Sequence, residues 1–242
     1  MDAQYDFCYQ NLLLGMNVIQ AAYQAGITKL INLASSCAYP KNAENPIKES
    51  QLLQGLPEPT NQGYAIAKAT VAHLTTCIAL QYGLQYKTYI PCNLYGYWDN
   101  YDANNSHFIA AIIKKIHRAL EEQQANVVIW GDGNPRREVL FTEDLADFIL
   151  FSLQNFSNIP NIINVGSGID CTINEYYQII AKVLDYKGTF SHDLTKPNGI
   201  KQKLMDISKL KALGWQPKTS LEACIRKAYK FYIKEALGCS TV

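Results

Sequence analysis

Tyr64 and Lys68 stand four residues apart, downstream of the polar run Ser35-Ser36-Cys37. On a helix, residues i and i+4 share one face. A free tyrosine titrates near 10 and is a poor acid–base catalyst at neutral pH. A lysine cation beside it is expected to favour the phenolate and pull that value down. A serine hydroxyl at a neighbouring strand end then binds the carbonyl oxygen that the phenol protonates. With 16 tyrosines in the chain, a single Tyr-x-x-x-Lys is near the chance expectation, so the weight falls on its surroundings. Cys37 by itself packs as a small hydrophobe unless something activates it. His107 by itself is an ordinary residue at the start of a helix, though imidazole titrates near neutrality and suits a proton shuttle.

The elements that must position these groups follow from hydrophobic periodicity. About residues 7–25 read as a helix, with Leu12, Leu13, Met16, Val18, Ile19 and Ala22 on an apolar face and Gly26 as the stop. Residues 29–34 read as a buried strand that ends in Ser35-Ser36-Cys37. A Pro- and Asn-rich loop covers 40–61, and a helix runs over about 64–82 to Gly83. Further strands are predicted at 86–91, 127–130, 139–141 and 162–165. Further helices are predicted at about 108–122, from Thr142 onward, at 174–184 capped by Thr172 or Asn174, and at 220–236. Alternating helices and continuous apolar strands predict an α/β chain with a parallel sheet. The pattern loosens after Gly168, where a smaller α/β lobe is expected.

Composition narrows the function classes. The 242 residues suffice for a substantial core, and the formal net charge of +1 provides no field toward nucleic acid or a membrane surface. No run is long enough to span a bilayer, so a cytoplasmic protein is the default expectation. The 7 cysteines (Cys8, Cys37, Cys77, Cys92, Cys171, Cys224, Cys239) are scattered and form no Cys-x-x-Cys pair. Reduced thiols are expected, with no metal site and no disulfide framework.

Several stretches taken together resemble one family of extended short-chain dehydrogenase/reductases, the GDP-L-fucose synthases. They are SSCAYP at Ser35 to Pro40, EPTNQGYAIAK at Glu58 to Lys68, and PCNLYG at Pro91 to Gly96. Further on come DNYDANNSHFIAAIIKK at Asp99 to Lys115, VVIWGDGNPRREVLFTEDLAD at Val127 to Asp147, NVGSG at Asn164 to Gly168, and KLMDISKLKALGWQP at Lys203 to Pro217. They keep the family's order and spacing over nearly the whole chain.

The resemblance implies an NADPH-dependent epimerase/reductase that converts GDP-4-keto-6-deoxy-D-mannose, or a close GDP-deoxysugar, to GDP-L-fucose or its counterpart. Protons next to the 4-keto group are first exchanged at C3 and C5, and C4 is then reduced. By motif match, Cys37 and His107 are the epimerisation acid–base pair, Tyr64 donates to the C4 oxygen, and Ser35 hydrogen-bonds it. Lys68 tunes Tyr64 and holds the nicotinamide ribose. Leu33, Ala34, Ser35, Ser36, Pro91, Cys92, Asn93, Leu94 and His107 match the segments that line NADP(H). Lys115, Trp130, Arg137 and Asp206 match substrate-binding positions; the family usually has arginine where Lys115 stands, which keeps the charge and loses bidentate phosphate geometry.

The same resemblance implies a Rossmann-like fold, expected here as an N-terminally truncated parallel sheet with a smaller C-terminal substrate lobe. The division is expected at 1–168 and 169–242, with a substrate-lobe insertion at about 106–138. No Gly-rich pyrophosphate turn occurs in the chain. A fragment, a misplaced start, one piece of a split enzyme completed by a separate chain, and a catalytically incomplete sugar-nucleotide-binding relative all remain open at this point. The helices near 7–25 and 64–82 match those that pair two copies in related enzymes, so a homodimer is expected.

Overall fold

The computed structural model describes residues 3–102, 106–196, 198–236 and 238. Asn105 of the Asn-Ser-His motif and Cys239 lie outside the described residues. In chain order the elements are α1 (Gln4–Gln24), β1 (Lys29–Leu33), α2 (Gln62–Tyr82), β2 (Gln85–Pro91), β3 (Asn93–Tyr95), α3 (Phe108–Glu121), β4 (Asn126–Trp130) and β5 (Arg136–Phe141). They continue with α4 (Thr142–Gln154), β6 (Ile162–Val165), β7 (Asp170–Thr172), α5 (Ile173–Leu184), β8 (Thr189–Asp193), β9 (Gln202–Lys203), α6 (Ser208–Ala212) and α7 (Leu221–Phe231). The chain forms two compact units: Met1–Cys92, Asp147–Gly168 and Lys203–Gln216; and Asn93–Ala146, Ile169–Gln202 and Pro217–Val242.

The first unit is built on a parallel sheet in which β2 pairs with β1 on one side and β6 on the other, Leu33 opposite Tyr89 and Ile90 opposite Asn164. From Tyr86 onward β2 is buried throughout, as a central parallel strand must be. Buried Ala65, Ala67, Ala69, Ala72 and Ala79 let α2 pack closely. Gly15 on α1 allows the same intimacy, since a Cβ there would stand 2.5 Å from Val71 Cγ2. Gly83 closes α2 at a φ of 67°, left-handed backbone that suits glycine. Ile19, Val71, Ile78 and Tyr86 form the core beneath the two helices, and each buried aliphatic side chain stabilises by about 1.5–3 kcal/mol.

The long loop over 40–61 is pinned by one buried residue. Asn164, at the end of β6, donates from Nδ2 to the carbonyls of Ile47 (2.8 Å) and Asp206 (3.1 Å). Its Oδ1 accepts from the Tyr39 hydroxyl at 2.7 Å. Its backbone N–H donates to Glu49 Oε1 at 3.1 Å. The loop and the 203–206 segment are therefore both tied to the sheet, with Ile47 and Met205 bridging in parallel.

The second unit rests on a helical core. Ile109, Ile112, Ile113 and Ile116 of α3 follow the i, i+3, i+4, i+7 stripe and pack with Tyr176 and Ile180 of α5 and Ile225 of α7. In β4 burial alternates, with Val127 and Ile129 inside and Val128 and Trp130 outside. β4 pairs with β8 in parallel, β3 with β5 in parallel, and β5 with β7 antiparallel. Thr172 starts α5 through a reciprocal cap: its hydroxyl accepts from Glu175 N at 3.1 Å, and Glu175 Oε2 accepts from Thr172 N at 2.6 Å.

The compact units run differently from the expected break at 168/169. The segment Lys203–Gln216 belongs to the first unit, because Asn164 and Ile47 hold its start and Trp215 holds its end. The Trp215 ring meets Phe148 at 5.2 Å and its Nε1 donates to Asp147 Oδ2 at 2.7 Å. Conversely, the second unit begins at Asn93 rather than near 106, since β3 pairs with β5. Among the described residues no helix is long and apolar enough to cross a membrane.

Candidate active site

In the first unit β1 ends at Leu33, and Ser35 follows with extended backbone. Its hydroxyl accepts from the Cys37 backbone N–H at 3.2 Å, which starts the short helical turn Ser36–Ala38. The same hydroxyl is close enough to the Tyr64 phenol and the Cys37 thiol to lower both. The thiol is reached on other sides by the Asn61 amide and by Lys203 Nζ, the latter at 3.6 Å. Ser35, Cys37 and Tyr64, singled out from the sequence, thus lie together around one hydroxyl.

The electrostatics pull the two acidic groups apart. Burial raises the Cys37 thiol, but the Lys203 charge and the hydrogen bonds from Ser35, Lys203 and Asn61 outweigh it and bring it below its ordinary value. Burial raises the Tyr64 phenol; the Ser35 hydrogen bond lowers it and the Cys37 charge raises it, leaving it above its ordinary value. This reverses the expectation that Lys68 pulls the phenol down. Lys68 does share the face of Tyr64, with Nζ 5.8 Å from the ring centroid. It addresses the ring and donates to the Leu33 carbonyl at 3.3 Å. Tyr64 is therefore held as a protonated donor and Cys37 is biased toward thiolate.

Leu33, Ala34, Ser35, Ser36, Pro91 and Cys92 lie at or just past the carboxyl ends of β1 and β2, where ligands sit on parallel sheets. Burial lowers the Lys68 ammonium, and a half-buried lysine with three donors beside a strand-end carbonyl suits ribose hydroxyls. Asp206 is engaged locally, accepting from Ser208 N at 2.8 Å at the start of α6. Its carboxyl is held below the usual range by the Ser208 hydrogen bonds, against a burial contribution that raises it.

The remaining expected residues lie in the second unit. Asn93 donates from Nδ2 to the Glu138 carbonyl at 2.8 Å, and Leu94 follows it in β3. His107, with 73% of its side chain exposed, bonds through Nδ1 to Asp99 Oδ1 at 2.7 Å, while Asp99 is 7% exposed. A carboxylate only accepts, so Nδ1 carries the hydrogen and Nε2 is the outward basic position. Lys115 donates to the Val128 carbonyl, and its Nζ lies 5.7 Å from the Trp130 ring centroid; Lys196 Nζ lies 5.4 Å from the same centroid. Burial lowers the Lys115 ammonium. Arg137 donates from Nη1 to the carbonyls of Arg136 (2.8 Å) and Ile200 (2.6 Å). An exposed indole flanked by two cations suits a base and a diphosphate.

Four functional candidates escaped the sequence reading. Asn61 immediately precedes α2, three residues before Tyr64, so it is near in sequence but outside the helical period. Asp99 lies eight positions before His107 in a loop, with no periodicity to join them. Lys196 lies 66 positions after Trp130, and Lys203 lies 166 positions after Cys37. Neither has a local signature.

The description of the NAD dependent epimerase/dehydratase family matches residues 1–166. The chain is 49% identical over 230 residues to a GDP-L-colitose synthase of Yersinia pseudotuberculosis, covering 95% of this chain and 75% of that protein. It is 43% identical over 237 residues to a GDP-L-fucose synthase of Escherichia coli strain K12, covering 95% and 74%. Its fold superimposes on a GDP-mannoheptose C4 reductase from Campylobacter jejuni with NADP bound, at a TM-score of 0.84 and 30% identity, covering 95% and 77%.

Proposed function

The chain belongs to the NAD dependent epimerase/dehydratase family, and from that premise we propose that it is an NADPH-dependent GDP-sugar epimerase/reductase acting on GDP-4-keto-6-deoxy-D-mannose to form GDP-L-fucose. The observation that carries this reading is the grouping of Ser35, Cys37, Tyr64 and Lys203 at the end of β1, with the phenol raised and the thiol lowered. Two groups whose environments drive their ionisation apart suit the roles of acid and base. Their retention weighs against a non-catalytic sugar-nucleotide-binding relative.

Cys37, as thiolate, takes the proton from the carbon next to the 4-keto group, and the C–H electron pair moves onto the keto oxygen as an enolate. His107, oriented by Asp99, is the second acid–base group and returns a proton to carbon. Tyr64 gives its proton to the C4 oxygen during reduction, while Ser35 donates to the same oxygen. Bound NADPH supplies the hydride for that step. Lys68 and the ends of β1 and β2 hold its nicotinamide side, together with Asn93, Leu94 and His107. Lys115, Trp130, Arg137 and Asp206 bind the nucleotide sugar. Lys196, on the same indole, adds a second cation where the resemblance leads one to expect arginine at 115.

The test is incubation of the full chain with GDP-4-keto-6-deoxy-D-mannose and NADPH in deuterium oxide. The expected product is GDP-L-fucose with deuterium at C3 and C5 and one NADPH consumed. NADPH consumption without carbon-bound deuterium reduces the protein to a reductase, and neither signal overturns the proposal. The higher identity to the GDP-L-colitose synthase favours a second reading, a related GDP-deoxysugar; comparing turnover of GDP-4-keto-6-deoxy-D-mannose with that of its 3-deoxy counterpart separates the two.

We also propose a homodimer through α1 and α2. Leu13, Leu14, Met16 and Val18 on α1 and Leu80 on α2 are exposed large apolar side chains, more than a solvated helix face needs. Sedimentation should give twice the 27.2 kDa chain mass, and Leu14→Glu should halve it. A monomer for the unaltered chain overturns this part.

A further inference from the structure

Burial alone makes a thiol harder to ionise. Cys224 shows this: it is buried beside Tyr95, and burial with the charge of Asp144 pushes it above the ordinary thiol value despite a Tyr95 hydrogen bond. Cys171 shows that a nearby cation need not suffice, since burial and Glu175 outweigh the Arg136 charge and it too is raised. Cys37 is the exception, and the geometry around it is specific. The groups that face its sulfur are the Ser35 hydroxyl, the Asn61 amide, the Tyr64 phenol and the Lys203 ammonium. Of these four only Lys203 carries positive charge.

Lys203 is also held in place. Leu204 N donates to Asn45 Oδ1 at 2.7 Å, Ile47 N to the Leu204 carbonyl at 2.7 Å, and Asp206 N to the Ile47 carbonyl at 2.8 Å. The backbone on the carboxyl side of Lys203 is thereby laced to the 45–47 loop, which Asn164 in turn ties to the sheet. This lacing fixes the backbone from which the Lys203 ammonium reaches Sγ at 3.6 Å.

We propose that Lys203 is the positioning residue of this corner: its ammonium is the fixed counter-charge that holds Cys37 as thiolate and so makes it the base for epimerisation. The proposal rests on the assignment of Cys37 given above. In the step it serves, the substrate carbon loses a proton to Sγ, the thiolate becomes a thiol, and the negative charge passes to the keto oxygen. Lys203 touches neither the reacting carbon nor the transferred proton; it sets the state of the group that does.

The test needs no substrate. The full chain is alkylated with iodoacetamide from about pH 5 to about pH 10, and modification of Cys37 is followed by peptide mass spectrometry against the exposed Cys77 in the same digest. Lys203→Met removes the charge, Lys203→Gln removes it while keeping a hydrogen-bond donor, and Lys203→Arg keeps it. The Met and Gln variants should move the Cys37 midpoint upward and slow its alkylation about tenfold near pH 6, the equivalent of about one pKa unit. The Arg variant should stay within about threefold of the unaltered chain, a small part of that tenfold step. Thermal midpoints confirm folding, and if the Met variant does not fold, the Gln and Arg pair decides. An unchanged midpoint in the charge-free variants overturns the proposal. Failure of deuterium incorporation into the sugar with a normal alkylation shift instead counts against the epimerase reading and leaves Lys203 as the group that ionises the thiol.

Discussion

The Cys37 corner of the first unit and the Trp130 face of the second are both built from charged and aromatic groups, yet they use them in opposite ways. At Cys37 the groups are few, packed and partly withdrawn from water, so an ammonium 3.6 Å from the sulfur, together with the Ser35 and Asn61 hydrogen bonds, reverses what burial does to the thiol. At Trp130 the indole is 66% exposed and two lysine ammoniums lie within 6 Å of its ring centroid, 5.7 Å for Lys115 and 5.4 Å for Lys196. Charge contacts of that kind are worth about 0.5–1 kcal/mol each. A low-dielectric pocket tunes reactivity, whereas an exposed platform accumulates affinity from several weak contacts.

The comparison breaks or sharpens at specific residues. The largest effect is expected for Tyr64→Phe, which removes the donor to the carbonyl oxygen. Reduction should fall by about 10²–10⁴-fold, with solvent deuterium still entering the sugar; equal loss of both activities would dissolve the division between phenol and thiol. Cys37→Ser comes next. Deuterium incorporation should fall about a hundredfold while binding of the nucleotide sugar, measured by calorimetry, stays unchanged. In the unaltered chain the exchange rate should climb with pH and level off below the ordinary thiol value of 9.0. The sign follows because the thiolate is the active form and its folded value is depressed, so activity is lost as pH falls through it.

Changes on the Trp130 face should be smaller and of a different kind. Trp130→Ala should weaken sugar-nucleotide binding about tenfold, from lost stacking and cation contacts, with the turnover of bound substrate retained. A fall in turnover as large as the fall in affinity would mean that this face does more than bind. Lys115→Arg should tighten binding only a fewfold, on the order of 1 kcal/mol or less, by restoring a fork that matches diphosphate oxygens.

Much of the fold was legible because its signals are local. The helix expected at about 108–122, the strand expected at 127–130 and the Gly83 stop of α2 each rest on signals within one element, and all appear in place. β3, β7, β8, the two-residue β9 and the short α6 were not read. β3 and β7 are three residues long, and β8 (Thr-Phe-Ser-His-Asp) is too polar to stand out. The site divided along the same line. Tyr64 with Lys68, and Ser35 with Cys37, are neighbours along the chain, whereas the partners that tune them come from elsewhere.

The sequence by itself determined the residue types, the order of helices and strands, and the single face shared by Tyr64 and Lys68, because helical and strand periods fix which neighbours coincide. It carried the family as well, through motifs spread over nearly the whole chain. Only the tertiary structure decided the ionisation logic. A phenol expected to be lowered by Lys68 is raised by burial, and a thiol that burial would silence is lowered by a lysine 166 residues away together with Ser35 and Asn61. Burial and long-range charge are properties of packing, and packing here depends on Asn164, whose hydrogen bonds bind the loop and the Lys203 segment to one sheet.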